Sequence, residues 1–445
     1  MSKKIKAAYD CAVIGGGASG MMAAVWAART GVKVVLIEHT KRMGSKILQT
    51  GNGKCNFTNY DMSKMQYQNE DKTFVMDVIR QLDVHNTIKF FQDIGVYHKE
   101  KNGYVYPNSE TAASLQDALR MTVLECGVKV LEMCEVGDIC CLNDDDERNQ
   151  GENKENYELK TKITDVETDI QTDYIIRTKT VILATGSKAA PKTGSDGSGY
   201  KLSRKMGHSI IKPLPALVQL MSSDKLCKSM SGVRSTGRVC LYIDDKLVSE
   251  DTGEVQYTDY GISGIPVFQI SRHAVKAVDS GKKAYAVVDM LPDMDAADLQ
   301  SDCIARAAKE SQRTVEQFFS GIVNKKLAYA AAKRKGVDVN RKISDMKNEK
   351  LGEIISGIIN ELKSFRIDIN GFKDFSSGQI CQGGVSLKEI DSATMKSKKK
   401  KGLYFAGELV DVDGRCGGYN LQWAWSSGYV AGVSAAKAVN GNVAD

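Results

Sequence analysis

The sequence predicts an α/β chain whose nucleotide-binding domain is interrupted by a large insertion, and three observations carry that prediction. Residues 11–31 read as strand, glycine turn and helix. Residues 209–362 change first to short β-type runs and then to a helical period. Residues 402–439 return to one strand and one helix studded with small residues.

The first observation is the most detailed. A short apolar run, Cys11 to Ile14, enters Gly15-Gly16-Gly17-Ala18-Ser19-Gly20, and an Ala-rich helical stretch follows to Gly31. Gly15 lets the chain turn off the strand, Gly17 lets the backbone approach a pyrophosphate with no Cβ in the way, and Gly20 lets the helix pack closely. The unpaired N–H groups and positive dipole end of that helix favour an anion. The next apolar run, Val32 to Ile37, ends on Glu38, about 20 residues past the glycines, where a carboxylate can accept ribose hydroxyls. Strand, turn, helix, stop and acid agree, which a bare glycine turn would not require.

Composition narrows the class. With 445 residues the chain exceeds a single core, and 42% hydrophobic with 26% charged residues is the balance of a soluble globular protein. No apolar stretch reaches the roughly 18 residues of a membrane span. The start, Met-Ser-Lys-Lys-Ile-Lys, leads into a first strand broken by Asp10 and the glycines, not into a signal peptide. Eleven scattered cysteines without a CxxC pair read as reduced thiols of a cytoplasmic protein. Five histidines without ligand spacing predict no metal site. A net charge of +6 allows anionic ligands without arguing for nucleic acid.

After Glu38 and His39 comes a long run of Gly, Asn, Thr and Lys reaching Asn59. Its glycines expose backbone N–H groups and Lys46 and Lys54 add charge, which suits wrapping an extended cofactor. Helices are expected over 73–95 and 111–127, and strands over 128–133, 135–142, 157–163, 173–177 and 180–183. The polar run 143–153 reads as a mobile hairpin tip. The strand 180–183 ends in Ala184-Thr185-Gly186, small residues that let a ligand lie across a sheet edge. This gives domains at 1–190, 191–365 (helical over about 295–362) and 366–445, the last completing the first. The run Lys396–Lys401 reads as a solvated turn. Small residues in the helix over 421–439 are expected to press it against a sheet.

Together, Gly15 to Gly20, the Thr50-Gly51-Asn52-Gly53-Lys54-Cys55-Asn56-Phe57-Thr58-Asn59 loop, Thr193 to Gly197, Gly261-Ile262-Ser263-Gly264, Gly407-Glu408, Asp411 to Gly414 and Gly417-Gly418-Tyr419-Asn420 resemble the BaiN-like flavoproteins, also known as the NAD(P)/FAD-dependent or aminoacetone-oxidase-type FAD-binding family. The resemblance runs nearly end to end. It implies non-covalent FAD in a glutathione-reductase-like domain interrupted by a β-barrel and a helical piece. By position it puts the adenosine end near Glu38, His39 and Val136, and the pyrophosphate at Gly15 to Gly20 (with Ala18 and Ser19) and Asp411. The flavin ring falls along Lys46 to Asn56 (with Thr50, Gly51, Asn52, Lys54 and Cys55) and the Gly417, Gly418, Asn420, Leu421 turn. The chain departs from the family pattern at Gln49, Asn52, Asp259 and Cys381, which touches substrate contacts rather than FAD.

The resemblance also implies a reaction. Hydride passes to a carbon–carbon double bond conjugated to a ketone in a hydrophobic small molecule such as a 3-oxo bile acid, with Tyr419 the candidate proton donor. A Tyr that only packs the turn is the competing reading, as a small buried residue is for Cys416. The final helix would aim its N–H groups at the flavin pyrimidine, where charge gathers on reduction. No second GxGxxG occurs in the insertion, so NAD(P)H would visit the flavin transiently. Oxidation of a small amino ketone by oxygen, an RNA-directed role and a redox sensor stay open as alternatives.

Overall fold

The computed structural model describes residues 5–69, 71–142, 156–309, 312–346 and 350–441; the polar run 143–153 lies outside them. The chain forms two compact units, residues 1–214 with 380–445, and residues 215–379.

The first unit opens with β1 (Ile5–Ile14), α1 (Ala18–Arg29), β2 (Val34–Ile37), β3 (Thr58–Asn59), α2 (Lys72–Ile79) and α3 (Val84–Asp93). The single helix expected over 73–95 is two, because Asp83 has extended backbone and its side chain accepts the Asn86 N–H at 2.8 Å. Such a cap contributes about 1 kcal/mol and starts a new helix where the old one ends. Next come β4 (His98–Lys101), β5 (Tyr104–Pro107), α4 (Ala112–Glu125), β6 (Lys129–Leu131), β7 (Cys134–Cys141), β8 (Tyr157–Thr164), β9 (Gln171–Leu183) and α5 (Ser198–Lys205).

The segments read separately as 173–177 and 180–183 form one strand, β9. Its neighbour changes midway: β8 pairs antiparallel with residues 171–178, and the late strand β19 (Leu403–Phe405) pairs parallel with Val181–Leu183. The sheet runs β6-β2-β1-β9-β8-β7 with β19 beside β9. Its central strands are parallel and buried, which is why Cys11–Ile14 and Val34–Ile37 are continuous apolar runs.

The second unit takes over within β10 (Ile210–Ala216) and holds β11 (Leu220–Met221), α6 (Leu226–Met230), β12 (Arg234–Ile243), β13 (Lys246–Thr258), β14 (Gly261–Gly264), α7 (Ile265–Asp279), β15 (Ala284–Asp289), α8 (Ala296–Lys309), α9 (Val315–Phe319), α10 (Lys325–Arg334), α11 (Leu351–Lys363), β16 (Phe365–Ile369) and β17 (Gly371–Phe372). Its sheet order is β16-β15-β12-β13-β14-β11-β17. Only Asn370 separates the two end strands, and its N–H donates to the Met221 carbonyl at 3.0 Å. One stretch of chain therefore pairs with both edges and closes the sheet into a barrel. The boundary consequently falls after residue 379 and not at 365, since β16 and β17 are barrel strands. The other boundary falls at 214 rather than 190, because α5 packs on β7 and β18 (Ile380–Val385) of the first unit. Helix α7 sits where short β runs were expected; Pro266 at its first turn and Val267, Ile270, Ala274 and Val275 buried on one face specify it.

The chain then returns through β18 and β19 to α12 (Tyr419–Val439), which begins two residues before the expected start. The small residues of α12 face a helix as well as the sheet. A Cβ on Gly428 would meet the Ser19 carbonyl and one on Gly432 the Ala23 carbonyl, so α12 lies directly on α1.

Candidate cofactor site

The parallel register builds the site. Ile14 is level with Ile37 and with Leu183, and Leu183 with Phe405. The residues that follow, Gly15, Glu38, Ala184 and Ala406-Gly407, therefore leave the sheet along one carboxyl edge, where ligands of doubly wound sheets bind.

The glycine turn is held from three sides. Gly15 has φ +105°, and a Cβ there would collide with the Ala184 carbonyl; one on Gly20 would collide with the Gly15 carbonyl. Gly17 differs: a Cβ would meet nothing within 4 Å. Gly17 is the N-cap of α1 and no side chain caps that helix, so the N–H groups at Ala18 and Ser19 open beside empty space. Glu38, 7% exposed, accepts the Gly16 N–H at 2.7 Å and the Thr40 N–H at 2.7 Å, one on each oxygen. Each oxygen keeps a lone pair for a hydroxyl. His39 lies 3.4 Å from Glu38 Oε1, and Val136 is buried on β7.

The late segment joins here. Gly407 is pinned by its N–H to Ser427 Oγ at 2.9 Å and by Trp423 Nε1 to its carbonyl at 2.9 Å, and a Cβ on it would meet Ser19 Oγ. Lys46 Nζ stands 2.6 Å from Glu408 Oε2, while Glu408 Oε1 accepts the Cys381 N–H at 2.8 Å. Burial, then Glu408, pushes the Cys381 thiol up to about 11, which keeps it protonated and unreactive. Asp411 accepts the Gly383 N–H at 2.8 Å.

The Lys46–Asn59 segment is a bent 3-10 turn over Ile47–Gly53, with Thr50 extended and Gly51 and Asn52 left-handed. Thr50 Oγ1 donates to the Ile47 carbonyl, and Cys55 is buried with its thiol pushed up to about 12. Both serve the bend. Lys54 is exposed and pairs with Glu110 at 3.0 Å. At the other end Gly417 and Gly418 have φ +133° and +92°; a Cβ on Gly418 would lie 2.7 Å from the Thr58 carbonyl and 2.9 Å from Asn56 Oδ1. Gly418 is the uncapped N-cap of the 21-residue α12. Asn420 spends its amide on Gly414 and Arg415, and Leu421 packs on the core. Tyr419 is buried, its phenol pushed up to about 12 by burial first, with Asp61 and Tyr104 adding to it.

Several residues essential to this arrangement were not singled out from sequence. Gln422, fully buried, accepts from Thr58 Oγ1 and donates to the Leu82 carbonyl and to Thr87 and Ser426 hydroxyls. Trp425 Nε1 holds the Phe57 carbonyl, and Asn59 Nδ2 the Gly417 carbonyl. Polar and indole residues in the first two turns of an otherwise small-residue helix were the available signal.

The residues present fit FAD. Two uncapped helix N-termini, an open cradle at Gly17 and a buried acid at Glu38 match its pyrophosphate, ribose and flavin ends. Asn56 Oδ1 and Thr185 Oγ1 are buried with no partner, beside Gly418 and Gly199 respectively. Gly186 has φ +72° and abuts Ser195. Among the described residues no group of three or more His, Cys, Asp or Glu is placed to hold a metal, and no helix is long and apolar enough to cross a membrane.

Comparison with known proteins agrees. Residues 9–434 match the family described as HI0933-like protein Rossmann domain. The 3-dehydro-bile acid delta(4,6)-reductase of Clostridium scindens is 39% identical over 427 residues, 96% of this chain and 98% of that protein. A ribosomal RNA dihydrouridine synthase of Haemophilus influenzae is 26% identical over 95% of this chain and 97% of that protein. Among solved structures, the apo Sdh1 complex of Mycobacterium smegmatis shares the fold at TM-score 0.50, with 13% identity over 99% of this chain and 70% of that one. With an end-to-end family match and the BaiN-like motifs in place, the chain belongs to the HI0933-like Rossmann family and is a flavin-dependent oxidoreductase.

Proposed function

We propose that this protein reduces a carbon–carbon double bond conjugated to a ketone in a hydrophobic polycyclic substrate such as a 3-oxo bile acid or steroid, with NAD(P)H as a transient electron donor. The observation that carries this reading is the 39% identity, across nearly both whole chains, to a reductase of that class. Bound FAD supplies the two-electron hydride chemistry.

The chain's own residues do the rest. The N-termini of α1 and α12 favour negative charge at the two ends of the cofactor. The Lys46–Glu408 pair, largely shielded from water, fixes a cation and an anion beside the Lys46–Asn56 bend. Tyr419 keeps its proton across the neutral range, because burial holds its phenol at about 12, and Oη is the atom from which it would protonate the carbon next to the ketone.

Anaerobic NAD(P)H should bleach the flavin of the purified protein, and a 3-oxo-4-ene steroid should restore its colour. Failure of every enone to do so would sink the reading. The dihydrouridine synthase relatives motivate a second arm, since the uracil 5,6 double bond is also conjugated to a carbonyl. Reoxidation by ribosomal RNA and not by enones would move the assignment there, and rapid peroxide formation with aminoacetone would move it to amine oxidation.

A further inference from the structure

The three-stranded sheet β3-β5-β4 carries a cluster of tyrosines and lysines on one face. Alternation along β5 sends Val105 and Pro107 into the core and Tyr104 and Tyr106 to the other face, where both stay partly exposed. Cross-strand partners share a face, and the register pairs Tyr104 with Lys101 and Tyr106 with Lys99. Lys54 belongs to the same cluster: it acts on the Tyr106 phenol and, like Lys99, is ion-paired with Glu110. Three lysines and one carboxylate therefore surround two adjacent phenol rings, leaving the cluster positive.

This face adjoins the flavin turn. A Cβ on Gly417 would lie 2.8 Å from Tyr104 Cε1 and 3.1 Å from Tyr419 Cε2, so the Tyr104 ring lies against the turn that leads into α12. The Tyr106 phenol is pushed up by burial first, with Tyr104 and Cys416 adding to it. A path of aromatic surface thus runs from Tyr419 over Tyr104 to Tyr106 and ends among lysines.

Resting on the enone-reductase reading above, we propose that this face binds the substrate as an anionic amphiphile, with a flat polycyclic body on Tyr104 and Tyr106 and a carboxylate at Lys99 and Lys101. The match is one of shape and charge: rings offer broad apolar area to a flat hydrocarbon, and three lysines offset by one carboxylate favour a remote anion over a neutral tail. The Glu110 carboxylate, already between Lys54 and Lys99, orients those ammonium groups, and the Lys99 ammonium, with three N–H donors, can serve the ligand together with Lys101.

The test is isothermal titration of the oxidised holoprotein with 3-oxo-4-cholenoic acid and with its methyl ester. The acid should bind about fivefold more tightly than the ester, a difference of the size expected for exposed charge contacts, and the gap should narrow at high salt. In the Lys99→Gln, Lys101→Gln double variant the acid-to-ester ratio should fall to about one, and Tyr106→Leu should weaken both ligands together, as loss of a ring contact does. FAD content checks that each variant is intact; if the double variant loses flavin, the single variants K99Q and K101Q should each lower the ratio part of the way, and a ratio unchanged in both overturns the proposal. Equal binding of acid and ester by the natural protein, or a preference that survives loss of both lysines, overturns the proposal. Turnover separates the two readings: selective acid binding without flavin reoxidation sinks the reductase assignment alone, and reoxidation by both ligands with equal affinities sinks this inference alone.

Discussion

The two helix N-termini of the nucleotide-binding unit look alike in sequence and differ in what their glycines do. Gly17 and Gly418 are both N-caps without a side-chain cap. A Cβ on Gly17 would enter open space, and its φ of −76° is ordinary backbone. A Cβ on Gly418 would strike the Thr58 carbonyl and Asn56, and its φ of +92° is left-handed. The first turn is open at its glycine, as the proposed pyrophosphate cradle requires; the second is a brace in which glycine serves the chain itself. The same residue type thus borders open space at one end and packed backbone at the other, and only the neighbours distinguish them.

That contrast can be broken by substitution. The largest effect is expected from Gly20→Ala, which places a methyl on the Gly15 carbonyl: thermal or urea unfolding should show a loss of about 3 kcal/mol, with flavin lost as well. Gly418→Ala should follow, costing about 1–2 kcal/mol for the backbone alone and more for the displaced Thr58 carbonyl, read in the same unfolding curves. Gly17→Ala should behave in the opposite way, with stability within about 0.5 kcal/mol of the parent and FAD affinity down about tenfold by fluorescence titration of the apoprotein. If Gly17→Ala unfolds the protein while keeping its affinity for FAD, the cradle and brace assignments are reversed.

The smallest effect is a pH dependence. Burial raises the Tyr419 phenol from its ordinary 10.0 to about 12. The folded state then holds a proton that the unfolded chain releases, so this group's stabilising contribution is complete below pH 10 and is lost as pH rises to about 12. Tyr419→Phe should flatten part of the fall in stability over that window, measured by urea unfolding at stepped pH. Other buried phenols, Tyr404 among them, keep the remaining slope.

The glycine turn, Glu38 and the closing helix were legible because each is local: a period, a stop and a spacing written within about thirty residues. The change of period marked an inserted β unit, barrel or sandwich, and only the family resemblance pointed to a barrel; helix α7 was missed because its apolar spacing lay among β-type runs. The split of β9 into two strands failed for a different reason. Its continuity depends on two neighbours, β8 and β19, more than two hundred residues apart in the chain. Gly15, Glu38, Ala184 and Gly407 leave the sheet along one edge, but the tasks of the other residues read from motifs were not legible. Asn420, Thr50 and Cys55 hold the backbone of their own loops, whereas Gln422, Trp423 and Trp425 carry the long-range bonds that fix those loops in place.

The embrace of α1 by α12 has a consequence for how the molecule is made on the ribosome. Strand β19, the partner of Val181–Leu183, and the helix that covers the alanine- and glycine-lined side of α1 emerge after every other element described above. Until then the first half of the nucleotide-binding unit carries an uncovered apolar flank, while the barrel, whose strands are all encoded in one continuous stretch, can close by itself. Nascent chains stalled just short of Tyr419 should therefore contain a protease-resistant barrel beside an amino-terminal segment still dependent on chaperones.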